Sequence, residues 1–195
     1  MDKSNGYEEI AHRFMALRNL EIGAALVREW SRTLRQHASV LDLGCGHGEP
    51  VARILIEYGC NVFAVDASQS LLEEFRKRFP AVATEHATVE ESEFFRRTFD
   101  GIVSVGLLFL LPPETQATAI GKVANALRPE GKFLFTAPRE AVRWSDAMTG
   151  CESISLGSAE YQRILETAGL QLDAERTDEG ENHYYFASKT TPETV

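Results

Sequence analysis

An α/β fold built on a mainly parallel sheet is what this sequence predicts, from three observations. Short apolar runs alternate with helically periodic stretches of roughly 10–15 residues, the pattern of consecutive βαβ units. A glycine-rich turn, GCGHG at 44–48, separates the first apolar run from the helix that follows it. The last two runs, LQLDAERT and NHYYFAS, have only a DEGE turn between them, so they should pair antiparallel.

Taken in order, residues 7–35 carry apolar positions at helical spacing: Ile10, Phe14 and Leu17, then Ile22, Leu26, Trp30 and Leu34. That spacing predicts two helices, a helical cap over 1–36 ahead of the main unit. SVLDL (39–43) reads as a buried strand, and Pro50 to Tyr58 as a helix with proline in its first turn. NVFAVD (61–66) is a second strand; Ser68 caps the helix SQSLLEEFRKRF, which Pro80 ends. ATEHA (83–87) is a weaker third strand, followed by a short helix around 90–97. FDGIVSVG (99–106) is the fourth strand, Pro112 to Leu127 a helix, and an RPEG turn at 128–131 leads into KFLFTAP (132–138). Residues 138–157 show no clean periodicity. Ser158 opens a helix that Gly169 closes before the final strand pair, and the KTTPETV tail is expected to fray.

At 195 residues the chain fits a single domain, 1–195, large enough to bury a core without metal or disulfide staples. The formal net charge of −9 argues against nucleic acid as a partner, because neutralising phosphates needs an excess of Lys and Arg. Cys45, Cys60 and Cys151 form no CxxC pair, so neither a zinc site nor a disulfide framework is expected, and free thiols fit a cytoplasmic protein. No His/Asp/Glu cluster has metal-ligand spacing. The first residues lack an apolar core of signal-peptide length, and the longest apolar run, Ile102 to Leu111, is too short to span a bilayer.

The glycine turn carries the chemistry. In VLDLGCGHGEP (40–50), Gly44 permits the tight turn, Gly46 lets a ligand approach the backbone, and Gly48 brings helix and strand together. A phosphate-binding P-loop would need GxxxxGK[ST], which does not occur. A dinucleotide fold would need glycine three residues after Gly46, where Glu49 stands. Asp42 and Glu49 beside the turn have the wrong sign for pyrophosphate and the right sign for a cationic ligand. Asp66, at the tip of the second strand, suits the hydroxyls of an unphosphorylated ribose.

VLDLGCGHGEP, VFAVDAS, FDGIVSVG and ALRPEGKFLFTAP, in that order and spacing, resemble the motifs of class I S-adenosylmethionine-dependent methyltransferases of the small-molecule type. The resemblance covers roughly residues 38–138. It implies a Rossmann-like fold with a seven-stranded sheet of order 3-2-1-4-5-7-6, strand seven antiparallel, and helices on both faces. It implies S-adenosylmethionine as cofactor, with Gly44, Cys45, Gly46 and Gly48 along its methionine and ribose and Asp42 near its amino group. Asp66 would hold the ribose hydroxyls, Ala67 and Ser68 would lie beside the adenine, and Gly106 and Leu107 would border the methyl group. Where members often carry an Asp-Ala pair that reads the adenine edge, this chain has Thr88 and Val89, so the side-chain contact from an aspartate is not expected, while a backbone N–H from Val89 could survive. Tyr7 resembles the aromatic residue of a leading helix that closes over the cofactor, and Arg18 could reach the cofactor carboxylate.

Methyl transfer from a sulfonium is an in-line displacement in which the protein chiefly holds nucleophile and methyl in line. His183 and Tyr184, opening the last strand, are the candidates for a base or pocket edge, with an exposed His183 and a core tyrosine as the rival reading. His47 reads as a solvent-facing loop residue. In 138–157, a candidate substrate-recognition insertion or lid, Arg139, Arg143 and Trp144 could grip an acceptor or form a solvated edge. A small-molecule methyl acceptor is the leading expectation. Protein methylation and a non-catalytic adenosyl-binding role are its rivals. The Asn/Asp-Pro-Pro-aromatic signature of amino-directed DNA enzymes is absent after strand four, where the chain reads VGLLF.

Overall fold

The structure, a computed structural model, describes residues 3–190; residues 191–195, the end of the KTTPETV tail, lie outside the described residues. The strands are β1 (Ser39–Leu43), β2 (Asn61–Asp66), β3 (Ala83–His86), β4 (Phe99–Ser104), β5 (Leu127–Thr136), β6 (Ala141–Ser145), β7 (Glu152–Leu156), β8 (Leu170–Thr177) and β9 (His183–Lys189). The helices are α1 (Ala11–Leu17), α2 (Ala24–Arg32), α3 (Val51–Glu57), α4 (Gln69–Arg78), α5 (Pro113–Ala126) and α6 (Ser158–Thr167).

Seven strands form one sheet in the order β3-β2-β1-β4-β5-β9-β8. Strands β3, β2, β1, β4 and β5 run parallel, and β9 is antiparallel to both β5 and β8. With β8 and β9 counted as the sixth and seventh strands of the sheet, this is the expected order. All of β1 is buried because helices cover both faces of the sheet. On one face Val40, Val62, Ala64, Val103 and Leu134 pack with α2, α3 and α4. On the other Leu41, Leu43, Phe63, Ile102, Phe133 and Phe135 pack with α5 and α6. Alternation along each strand supplies both cores from one short run.

Three elements differ from expectation. The helix around 90–97 is a single 3-10 turn, Phe94–Arg96, whose residues have φ of 48°, 56° and 52°. Left-handed backbone cannot propagate a right-handed helix, so the apolar spacing there reports Phe94 buried from a turn. The RPEG turn is absorbed into β5, which starts at Leu127 and shifts register against β4 between Phe99 and Gly101. Residues 141–156 form a β6–β7 hairpin, separate from the main sheet. Ala141, Val142, Arg143 and Ser145 are all exposed, so β6 carries no alternation to read.

The helical cap is anchored by Trp30, 2% exposed, whose ring edge would lie 2.9 Å from a Cβ at Gly101. Only glycine on β4 leaves room for this indole. Trp30→Ala should therefore cost about 3–5 kcal/mol in urea unfolding; a loss below about 1 kcal/mol would show that α2 does not depend on this contact.

Candidate functional site

The strand order reverses between β1 and β4, and the chain segments leaving these strands part at that point. The turn after β1 folds back onto β2. Gly44 N and Cys45 N donate to Val65 O at 2.8 and 3.1 Å, and Gly48 N donates to Cys45 O at 2.9 Å. Gly46 N then donates to Asp66 Oδ2 at 2.7 Å, while Ser68 N donates to Asp66 Oδ1 at 2.8 Å. Each carboxylate oxygen keeps further lone pairs, so Asp66 is held in place and can still accept from a ligand.

Gly46 and Gly48 serve different ends. A Cβ at Gly48 (φ +87°) would lie 2.5 Å from Phe79 and 2.9 Å from Phe75, so its bareness is needed for packing under α4. A Cβ at Gly46 (φ +53°) would meet only Phe14, at 3.8 Å. Gly46 thus faces open space.

That space is a cavity of about 630 Å³. Its floor is Asp42, Gly44, Cys45, Gly46, Asp66 and Ala67, with Thr88 and Val89 on one flank and Gly106 and Leu107 on the other. Lys122 Nζ donates to Val89 O at 2.8 Å and also to Ser92 O, pinning the flank after β3. Gly106 N donates to Thr136 Oγ1 at 2.8 Å, pinning the flank after β4.

The roof comes from the N-terminal segment and the hairpin. Glu8 accepts from Ser68 Oγ, Ser70 N and Ser70 Oγ at 2.6, 3.0 and 2.7 Å, tying the segment to the start of α4. Tyr7 donates its hydroxyl to Asp146 Oδ2 at 3.3 Å, and burial with the nearby Asp146 charge pushes the phenol pKa up to about 12. Phe14 stands edge-on to both Tyr7 and His47, at 5.3 and 5.8 Å between centroids, and the Arg18 guanidinium lies 5.8 Å from the Phe14 ring.

Charge in the floor is unevenly compensated. Asp42 is 2% exposed, its Oδ2 has no partner among the described residues, and burial with the charge of Asp66 raises its pKa to about 8. Glu49 is paired instead, with Arg53 and with Arg78 at 3.6 Å. Glu49 is thus the ion-paired carboxylate of the floor, and Asp42 and Asp66 form no ion pair with Lys, Arg or His among the described residues. Arg18 Nε and Asn5 Nδ2 are also buried without a partner, and both residues line the cavity.

Comparison with known proteins agrees with this geometry. Residues 40–131 match the family model of the methyltransferase domain. A protein of Mycobacterium tuberculosis (strain ATCC 25618 / H37Rv), named as an uncharacterized methyltransferase, is 34% identical over 94 residues, which are 48% of this chain and 37% of that protein. The chain spans about half the length, or less, of the curated relatives it matches. The CcbJ methyltransferase from Streptomyces caelestis has the same fold, with a TM-score of 0.77 at 16% identity, over 98% of this chain and 100% of that one. So does the 1,6-didemethyltoxoflavin-N1-methyltransferase of Burkholderia thailandensis, with a TM-score of 0.74 at 19% identity, over 95% and 84%. Residues 40–131 thus match a methyltransferase domain, and the fold is the Rossmann-like class I methyltransferase fold.

The cavity gathers Asp42, Gly44, Cys45, Gly46, Asp66, Ala67, Thr88, Val89, Gly106, Leu107, Tyr7, Arg18 and Tyr184 from distant parts of the chain. Gly48 and Ser68 lie beneath it, one packing α4 and the other holding Asp66. His183 does not line it. Alternation along β9 turns Tyr184 to the cavity and His183 to the opposite face, where its Nε2 lies 2.6 Å from Glu175 Oε2 and its ring packs on Tyr185. Tyr184 is buried against Asp178, and burial with that charge raises its phenol pKa. Arg143 pairs with Glu152 across the exposed hairpin, Arg139 lies 4.0 Å from Glu175, and Trp144 rests on Phe109. None of the three lines the cavity; Phe109 does.

His47 corrects its expectation: it is 2% exposed, not solvent-facing, and burial with the Arg78 charge lowers its pKa to about 4. Phe14, Asp146 and Phe109 also line the cavity without having been singled out. Phe14 sits in the helical period of a core position, and Asp146 comes from a segment without periodicity. Phe109 alone had a readable signal, following Gly106 and Leu107 in one apolar run after β4.

The raised pKa of Asp42 fixes the sign of a pH dependence. Between about 3.9, the ordinary aspartate value, and about 8 the folded chain holds a proton that the unfolded chain has released. Asp42 should then make ligand-free stability fall as pH rises through that window and level off above it, while His47 contributes with the opposite sign below about 6.5. Asp42→Asn should remove the fall in urea unfolding from about pH 6.5 to 9; an equally steep fall in the variant would assign the dependence to other groups.

Proposed function

We propose that the chain transfers a methyl group from S-adenosylmethionine to a small-molecule acceptor by in-line displacement, contributing mainly position and electrostatics. The observation that carries this reading is Asp66, fixed by the N–H groups of Gly46 and Ser68 beside the open face of Gly46. The unpartnered Asp42 Oδ2 completes the fit to an adenosyl ligand with a cationic amino-acid end. The cofactor supplies an activated methyl on sulfur. On the protein's side, Asp66 accepts from two ribose hydroxyls, Asp42 faces the ammonium end, Arg18 meets the carboxylate, and the backbone at Val89 serves the adenine.

The acceptor then lies on the side of Leu107, Phe109 and Tyr184, under the roof of Tyr7, Phe14 and Asp146. A roof made by two separate segments encloses rather than grooves the site, which favours a small acceptor over a protein chain. The Burkholderia relative, a methyltransferase with bound 1,6-didemethyltoxoflavin and S-adenosylhomocysteine, supports the same reading. Tyr184 serves as a wall of the acceptor side. His183 has no part in the proposal, because it is engaged with Glu175 away from the cavity. The roof excludes water from the reaction line, and no general base is needed for a nucleophile that is neutral and unprotonated.

S-adenosylhomocysteine should raise the melting temperature and NADH should not; the reverse would defeat the cofactor assignment. Asp66→Ala should weaken S-adenosylhomocysteine by about 10- to 100-fold in calorimetric titration, the scale of losing hydrogen bonds to a charged group. Unchanged affinity would remove Asp66 from the ribose site.

A further inference from the structure

We infer that Asn5 reads the adenine of the bound cofactor, donating a hydrogen bond from Nδ2 to a ring nitrogen. The inference rests on the adenosyl reading of the cavity given above and adds a residue to it from the N-terminal segment.

Asn5 Nδ2 is buried, has no partner among the described residues, and belongs to a residue that lines the cavity. A buried amide N–H left unpaired is costly, which points to a use that the protein alone does not show. Its backbone is committed as well. Asn5 has φ of +55°, a left-handed conformation that asparagine tolerates better than most residues, and Gly6 follows at φ +85°. Gly6 in turn lies against the hairpin, where an added Cβ would come within 3.1 Å of Thr149.

The attachments of the segment place this amide at the adenine end. Lys3, two residues before it, pairs with Glu91 on the flank after β3. Glu8, three residues after it, is bound to Ser68 and Ser70 at the start of α4. Asn5 therefore spans the gap between the Thr88–Val89 flank and the Ala67–Ser68 corner, beyond the ribose position set by Asp66. No side chain of the floor reads a base there. Ala67 has none to offer, Val89 is apolar, and the Thr88 hydroxyl is engaged with Glu91, accepting from its N at 3.3 Å. The ring nitrogens of adenine are acceptors only, and Nδ2 is a donor. Donor and acceptor match.

The test is calorimetric titration with S-adenosylhomocysteine and its 1-deaza, 3-deaza and 7-deaza analogues, each lacking one ring nitrogen. Wild type should bind two of the three analogues roughly 3- to 10-fold more weakly than the parent, one for the Val89 N–H and one for Asn5, each the worth of one hydrogen bond. Asn5→Gly, which keeps the left-handed backbone and removes the amide, should weaken the parent by a similar factor and abolish one of the two discriminations while the other persists. Asn5→Asp, which keeps the shape but cannot donate, should do the same. The inference is overturned if either variant binds S-adenosylhomocysteine as tightly as wild type, or if Asn5→Gly discriminates among the analogues as wild type does. Because analogues are compared within one variant, a general loss of stability does not imitate the result. Failure of wild type to bind S-adenosylhomocysteine at all would instead defeat the adenosyl reading.

Discussion

Two backbone N–H groups, from Gly46 and Ser68, converge on opposite oxygens of Asp66, and the geometry of the cavity follows from that convergence. Gly46 belongs to the turn after β1, Ser68 to the cap of α4, and Asp66 to the tip of β2. One carboxylate thus sets the relative position of three elements. The requirement for a bare backbone at Gly46 and the packing of Gly48 beneath Phe75 and Phe79 are conditions of bringing that turn close enough to reach it. Burial raises the pKa of Asp66, and the two N–H bonds oppose that rise, so the same contacts that fix the carboxylate also favour its charged form.

A pair of neighbouring residues, Tyr7 and Glu8, ties the roof to both the hairpin and α4. Tyr7 reaches the hairpin at Asp146, and Glu8 reaches Ser68 and Ser70 on α4. Ser68 thus holds Asp66 with its N–H and Glu8 with its hydroxyl, linking the Asp66 corner to the covering segment in two bonds. A change in how the hairpin sits is felt at α4 through a chain of contacts only two residues long.

The sheet and the floor of the cavity were legible because each rests on a local rule. Strand alternation, the capping Ser68 and the glycine turn all act over a few residues, and the floor residues sit at strand tips where the order reverses. The roof was not legible to the same degree. Phe14 has the spacing of a core position, and its place over Gly46 depends on how α1 docks, which no local pattern encodes. The hairpin hides for a related reason: β6 is largely exposed and gives no alternation. His47 was misplaced because burial from above, by Phe14, is a tertiary fact. Glu49 shows the limit of reasoning from charge alone, since Arg53 and Arg78 arrive from the next two helices to neutralise it.

The position of β9 has a consequence for the order in which the molecule assembles. Although β9 follows every other strand in the chain, it lies inside the sheet, between β5 and β8, and contributes Tyr184 to the cavity. During synthesis β1 to β5 can pair as they emerge, but β8 has no neighbour to join until β9 has been made and threaded beside β5. The floor of the cavity can therefore form on a nascent chain well before Tyr184 joins it. Until that last insertion, β5 offers an open edge, the surface most prone to pair with another chain.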